Sequence, residues 1–467
     1  MAQILSGDLD ALRSRVAGTV AETGSPGYSD AVAIWNGAIH RRPAVVVRCA
    51  NSADVALALT FAQDRGLEVS VRGGGHGFAG FAVTDGGVMI DLTPLKSVHV
   101  DPASQVAVAG GGVTWAELDA VGQQHGLAVP GGFISHTGIA GLTLGGGMGW
   151  LTGLAGLSCD NLAGAEVVTA DGQILRASRD EHPELFWALR GGGGNFGVVT
   201  SFEYRMHQVG PMVNLGLFFV GLDQGAAMLH TARELAPTLP RDAAMFIGGL
   251  NAPPEPFVPE EYRFQPGYAL LVAGFGAAAA HADLIAPVRG AVNALFELVT
   301  PIPYANLQQM FDPSAPWGIL GYEKAIYLDE LTDAAIATIV EHQPRKTSPM
   351  SFTPIFSLHG SFADLADDAT AFGGRRSTRY VVNIAAIAHT QEELNADRQW
   401  ARDYWTALVP HASGVGGYVN FMSEYEEDRV RAAYGPGKYD RLATIKSQYD
   451  PGNIFHLNAN IPPTRPA

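Results

Sequence analysis

One histidine set in a run of glycines is the best-placed residue of this chain for chemistry. His76 stands in Val69-Ser70-Val71-Arg72-Gly73-Gly74-Gly75-His76-Gly77-Phe78-Ala79-Gly80. Glycines let consecutive backbone N–H groups crowd around an anion without Cβ interference. Arg72 adds a fixed positive charge at the border. The stretch reads as a diphosphate cradle with a usable imidazole at its rim.

A second glycine-rich region runs from Pro130-Gly131-Gly132-Phe133-Ile134-Ser135-His136-Thr137-Gly138-Ile139-Ala140-Gly141 to Gly145-Gly146-Gly147-Met148-Gly149-Trp150. Ten glycines fall within the 27 residues from Gly131 to Leu157, too many for an ordinary packed helix layer. Such density fits backbone wrapped closely around a large ligand. Gly75-x-Gly77-x-x-Gly80 matches the dinucleotide fingerprint literally, but that fingerprint must open a helix. Here Gly87 to Leu92 follows as a strand. The second match, Gly192-x-Gly194-x-x-Gly197, follows a helical segment and precedes a strand. A Rossmann site is excluded.

The elements that must position these loops alternate strands and helices. Leu67, Val69 and Val71 alternate with polar residues, the period of a half-buried strand. Leu9, Leu12, Val16 and Val20 keep to one face of an opening helix. Ala44–Arg48 reads as a strand, and Ser52 is expected to cap a helix that Gly66 ends. Strands follow at Val88–Leu92, Val98–Val100 and Val106–Ala109, and a capping box at Thr114 to Glu117 opens another helix. Asp171-Gly172 turns a hairpin, Pro183 starts a helix, and Val198–Arg205 is a strand. After His207 glycine thins. Strands such as Val213–Val220 and Tyr268–Gly274 then alternate with helices at 223–235, 331–343 and 391–407. Pro253 to Pro266 reads as a surface excursion or linker.

The totals narrow the function. At 467 residues the chain is too long for one ordinary core. It is 47% hydrophobic and 16% charged, without an apolar run able to span a bilayer. Its net charge of −16 argues against nucleic-acid and anionic-membrane partners. Cys49 and Cys159 are too few for a disulfide framework and lack metal-ligand spacing with any histidine. No basic region followed by an apolar core opens the chain, so a cytoplasmic, soluble protein is expected.

In order, five pieces resemble the berberine-bridge-enzyme-like branch of the vanillyl-alcohol-oxidase flavoproteins. They are Val71 to Gly77, Gly138 to Gly141 with Gly145 to Gly147, Gly156 to Leu162, Glu184 to Gly191, and the tail from Tyr449-Asp450-Pro451 through Asn458-x-Asn460-Ile461. The resemblance implies an α+β protein. A PCMH-type FAD-binding domain of two α+β subdomains is expected at 1–207, with its core at about 37–207. A substrate domain, an antiparallel sheet covered by helices, is expected at 208–414, and a segment at 415–467 returns to the FAD domain.

Resemblance further implies FAD bonded through its 8α-methyl carbon to a ring nitrogen of His76. Expected cofactor contacts are Arg72, Gly73, Gly74, Gly75 and Gly77 in the first loop. In the second region they are Pro130, Gly131, Gly132, His136, Thr137, Gly138, Gly141, Gly146, Gly149, Trp150 and Asn161. Gly197, Val199, Asn420 and Asn458 complete the set. Many relatives carry a second link from a cysteine to flavin C6. Ile134 holds that position here, and Cys159 lies elsewhere, so a single link is expected.

The implied chemistry is hydride transfer from a small alcohol, amine, phenol or sugar to the flavin, with dioxygen as the acceptor that yields hydrogen peroxide. A dehydrogenase or oxidative cyclase, or a flavin-binding protein with little turnover, are the competing readings. Tyr418, sharing one face of an expected strand with Asn420, is the first candidate for proton removal. His359, at the end of an expected strand, is the second. Tyr322 and Lys324 are expected on another wall of the pocket.

Overall fold

The computed structural model describes residues 6–425 and 427–464, so the outermost residues of the first and last expected segments lie outside it. Three sheets organise the chain. The first contains β1 (Thr19–Glu22), β2 (Val45–Arg48), β3 (Val69–Arg72) and β4 (Val88–Asp91) in the order β1-β2-β4-β3. β2, β4 and β3 are parallel, with β1 antiparallel at the edge. Val45, Val47, Val69, Val88 and Ile90 bury one face beneath the helix Ser52–Gln63. Asn51, not Ser52, caps that helix by accepting from the Asp54 N–H at 3.0 Å. Ser52 instead turns its hydroxyl to Glu166 and Thr200.

The second sheet is antiparallel and runs β5-β6-β10-β8-β9. It consists of β5 (Val98–Asp101), β6 (Val106–Gly110), β8 (Leu162–Val168), β9 (Ile174–Ser178) and β10 (Val198–Arg205). A short ladder of β7 (Leu127–Ala128) with β11 (His207–Gln208) lies beside it. The expected capping box at Thr114 and Glu117 is present. The opening helix stops at Arg13, and Val20 lies on β1.

The third sheet has seven antiparallel strands in the order β15-β12-β14-β13-β17-β18-β16. They are β12 (Met212–Gly221), β13 (Ala243–Asn251), β14 (Pro266–Gly274), β15 (Phe296–Pro303), β16 (Leu320–Leu328), β17 (Thr353–Leu358) and β18 (Arg379–Ala388). Successive side chains leave opposite faces. Phe218, Met245, Leu270 and Val382 point to a layer built by the helices Gly225–Leu235, Ala278–Ala291, Asp333–His342 and Gln391–Leu408. Leu217, Phe246, Leu271 and Phe356 point the other way, toward the glycine-rich half. The Pro253–Pro266 segment joins neighbouring strands β13 and β14, so it is an excursion within one sheet and not a linker.

The tail packs on the first two sheets. Lys446, fully buried on the helix Pro436–Tyr449, donates to the carbonyls of Asn195 (2.8 Å) and Phe455 (2.9 Å) and pairs with Asp450 (2.6 Å). Among the described residues no helix is long and apolar enough to cross a membrane.

Candidate functional site

A cavity of about 1070 Å³ opens between the glycine loops and the inner face of the seven-stranded sheet. That reaches the upper end of roughly 300–1,000 Å³ for small-molecule pockets, room for a dinucleotide with a substrate beside it. The loop after β3 forms one wall. Gly74 and Gly138 meet back to back, so a Cβ on Gly74 would come within 2.3 Å of the Gly138 nitrogen. Gly75 has φ +67°, a conformation that disfavours side chains.

Gly77 and Gly141 lack any such packing reason. A Cβ on either would meet no protein atom within 4 Å, because the space beyond them is the cavity itself. On the opposite rim the buried Oδ1 of Asn458 has no protein partner. A backbone cradle that side chains would fill, together with an orphaned polar atom, fits a large polar cofactor such as FAD.

His76 projects into this space from the loop. Its ring stacks on Trp35 with centroids 4.8 Å apart, and its Nε2 lies 3.0 Å from Nδ1 of His136. Although deep in the protein, the ring stays open to solvent from the cavity side. Burial, aided by His136, pushes the His76 pKa down to about 3, so the imidazole is neutral. A neutral ring nitrogen keeps the lone pair that nucleophilic addition requires.

Gly73, Gly74, Gly75, His76 and Gly77 all line the cavity, as do Gly132, Thr137, Gly138 and Gly141. Gly197, Val199, Tyr418, Asn420 and Asn458 join them. Asn420 lies on a short 3-10 turn, Val419–Phe421, and Tyr418 is the residue just before it, so neither is on a strand. They still converge, because Asn420 Nδ2 donates to the Tyr418 oxygen at 2.9 Å while Gly147 N–H donates to it at 2.7 Å. Burial raises the Tyr418 pKa, while these two donors to its oxygen pull it back down.

Other expected contacts stand behind the wall. Arg72 is buried and donates to the Ala31 carbonyl, away from the cavity. Pro130 accepts from Ser158, Gly131 lies against Trp115, and Gly149 lies against Gly131. Gly146 packs on Phe372 and Tyr418, and Trp150 stacks on Phe311. Asn161 donates to the carbonyls of Ala155 and Leu157 and meets His207, locking its own turn. His136 reaches the site only through His76. His359, just past the end of β17, packs on Gly153 between the carbonyls of Ser357 and Pro240 and does not line the cavity.

Tyr322 and Lys324 occupy the other face of β16. There Tyr322 donates to Glu424 at 2.9 Å, and Lys324 lies over the Trp405 ring. The residue between them, Glu323, faces the cavity with Asn383 of β18, and sequence reasoning missed both. Parity separates the two faces without saying which meets the cavity, and choosing Tyr322 over Glu323 reverses the inward face of the whole strand.

Comparison with known proteins agrees with this architecture. Residues 43–178 match the FAD binding domain family, and residues 417–462 match the berberine and berberine-like family. The (R)-6-hydroxynicotine oxidase of Paenarthrobacter nicotinovorans is 31% identical, with 93% of this chain and 94% of that protein covered. The FAD-linked oxidoreductase pgmH of Aspergillus terreus is 40% identical over 96% of this chain and 94% of its own. The crystal structure of 6-hydroxy-D-nicotine oxidase from Arthrobacter nicotinovorans superposes with a TM-score of 0.87 at 28% identity, covering 99% of this chain and all of that one. The glycine cradle, the neutral histidine at its rim and the sheet that closes it are therefore those of an FAD-dependent oxidoreductase, and the chain belongs to the berberine-bridge-enzyme-like family.

Proposed function

We propose that the protein is an oxidase whose FAD is bonded through its 8α-methyl carbon to His76. In this reading residues 1–207 and 415–467 hold the cofactor and 208–414 supply the substrate wall. When bound, FAD accepts a hydride from a substrate carbon and passes the electrons to dioxygen, releasing hydrogen peroxide. The observation that carries the proposal is the neutral His76 imidazole, held by Trp35 and His136 at the mouth of a cradle that side chains would fill.

The chain's own residues divide the remaining work. The Gly73–Gly75 and Gly138–Gly141 loops offer backbone N–H groups to a diphosphate, and Asn458 offers an unpartnered amide oxygen. Tyr418, whose oxygen accepts from Gly147 and Asn420, is the side chain placed to exchange a proton with the substrate. The apolar sheet face excludes water and orients a small organic substrate.

A single link is supported by Cys159. Its thiol is fully buried beside Asp160, burial pushes its pKa up, and it does not line the cavity. Ile134 does.

The test is acid precipitation of the purified protein followed by peptide mapping. Yellow colour should stay with the polypeptide, on the peptide that holds His76. His76→Ala should release the flavin on precipitation and lower turnover by tenfold or more, on the order of what one properly placed catalytic group supplies. Colour that leaves with the supernatant, or that maps to Cys159, overturns the proposal.

A further inference from the structure

We propose that Asp160 and Arg376 are positioning residues that set where Tyr418 holds its hydroxyl. The inference rests on the reading of Tyr418 as the side chain that exchanges a proton with the substrate. Neither member of the pair lines the cavity. Arg376 belongs to the segment that joins β17 to β18, and Asp160 to the 3-10 turn Ser158–Asn161 that leads into β8. The pair therefore bridges the substrate half and the glycine-rich half. Two parallel bonds form it, Nη1 to Oδ2 at 2.9 Å and Nη2 to Oδ1 at 2.7 Å. The side chains are only 1% and 4% exposed.

A buried ion pair is a weak fastener. Desolvating both charges offsets most of their attraction, and apolar residues of similar volume often hold a fold as well. Arg376 Nε is moreover buried without a protein partner, which adds to the cost. What a guanidinium fork on a carboxylate does supply is a fixed distance and angle.

Both ends of the pair lead to Tyr418. On one side, Asp160 Oδ2 also accepts from the Leu157 N–H at 2.8 Å and so closes its own turn. That turn lies on the glycine run: Ser158 N–H donates to the Gly147 carbonyl at 2.8 Å, and Cys159 N–H to the Gly146 carbonyl at 2.9 Å. Gly147 in turn donates its own N–H to the Tyr418 oxygen at 2.7 Å. On the other side, the Arg376 guanidinium lies 4.8 Å from the centre of the Phe372 ring, and that ring is 6.0 Å from the Tyr418 ring. Phe372 also covers Gly146, where a Cβ would come within 2.8 Å of it. One route fixes the phenol oxygen and the other fixes the phenol ring. Such placement matters, because moving a reacting group by about 1 Å can cost on the order of 100-fold in rate.

Hydrogen exchange of the FAD-loaded protein, read by mass spectrometry, tests this. Asp160→Asn combined with Arg376→Met removes both charges at once, so no buried charge is left unpaired, and the new amide still accepts from Leu157. Exchange on the peptides that hold Gly147 and Tyr418 should quicken about tenfold, the worth of one lost buried hydrogen bond. Exchange on β13 and β14 should stay within about twofold of wild type. In a Tyr418→Phe background the same double change should add less than about twofold at the Gly147 peptide, because the bond it loosens is already gone. Arg376→Lys keeps the charge without the fork and should fall between wild type and the double variant, which keeps the test open if the double variant does not fold. The flavin's visible absorption maximum should move in the direction that Tyr418→Phe moves it. Exchange that quickens equally on every strand, or equally with and without the Tyr418 hydroxyl, overturns the proposal and makes the pair a fold fastener alone. A Tyr418→Phe spectrum identical to wild type would instead remove Tyr418 from the flavin's side, a failure of the earlier reading that the exchange data do not share.

Discussion

At His76 the ring Nε2 lies 3.0 Å from Nδ1 of His136. On the proposed flavin link, His136 therefore bears on the orientation of the ring. His136→Ala should slow covalent flavin incorporation on the order of tenfold, measured as the yellow fraction retained after acid precipitation over time. Tyr418→Phe removes the oxygen that accepts from Gly147 N–H and Asn420. Leaving a buried N–H unpaired costs about 1–3 kcal/mol, to be seen as a lowered denaturation midpoint. An unchanged midpoint would mean the turn at Gly147 repacks. His76 was legible in the sequence because glycines and a strand surrounded it. Glu323 was not. Both faces of its sheet are buried, so alternation along β16 marks two inner faces without saying which one meets the ligand. His359 misled for a related reason, since a strand's end does not reveal where the next residue turns.

Secondary elements were more legible than their partners. The Thr114 capping box, the Asp171-Gly172 hairpin and the Pro183 helix start are local chemistry and appear where the sequence puts them. The turning of Ser52 to Glu166 and Thr200, and the bond of Tyr418 to Gly147, depend on contacts far along the chain, which local pattern cannot supply. The tail helix shows how such distant contacts act. Lys446 is its only described ammonium with no exposed surface, and it joins the helix to Asn195 and to the segment after Asp450. Lys446→Met should destabilise the protein by about 3–5 kcal/mol in denaturant titrations, because Asp450 is left buried without its counter-charge. A loss under about 1 kcal/mol would show that the tail is held by its apolar contacts alone.

Across the whole molecule, the two halves meet at a buried acid. Asp119, on the helix Trp115–Gly122, accepts from Gln308 at 3.2 Å, and Gln308 ends the helix Tyr304–Gln308 that follows the edge strand β15 of the seven-stranded sheet. Burial raises the Asp119 pKa to about 7. The folded state therefore binds this proton more tightly than the unfolded chain, whose aspartates titrate near about 4. The resulting stabilisation is complete below about pH 4 and is lost as pH rises through about 7. Asp119→Asn should flatten the fall of the melting temperature across that window, a contribution on the order of 4 kcal/mol at most. A slope identical to wild type would place the proton elsewhere.

The excursion between β13 and β14 has a consequence for how this architecture can diversify. Its ends are stitched together where Ala252 N–H donates to Gln265, Phe264 N–H donates to Ala252, and Asn251 donates to Phe264. Between those stitches, Pro253, Pro254, Glu255 and Phe257 form part of the cavity wall. The segment is thus a cassette with a closed base. Its length and composition can be exchanged without breaking a ladder or reaching the flavin cradle, so new ligand preferences can arise there while the redox machinery stays as it is.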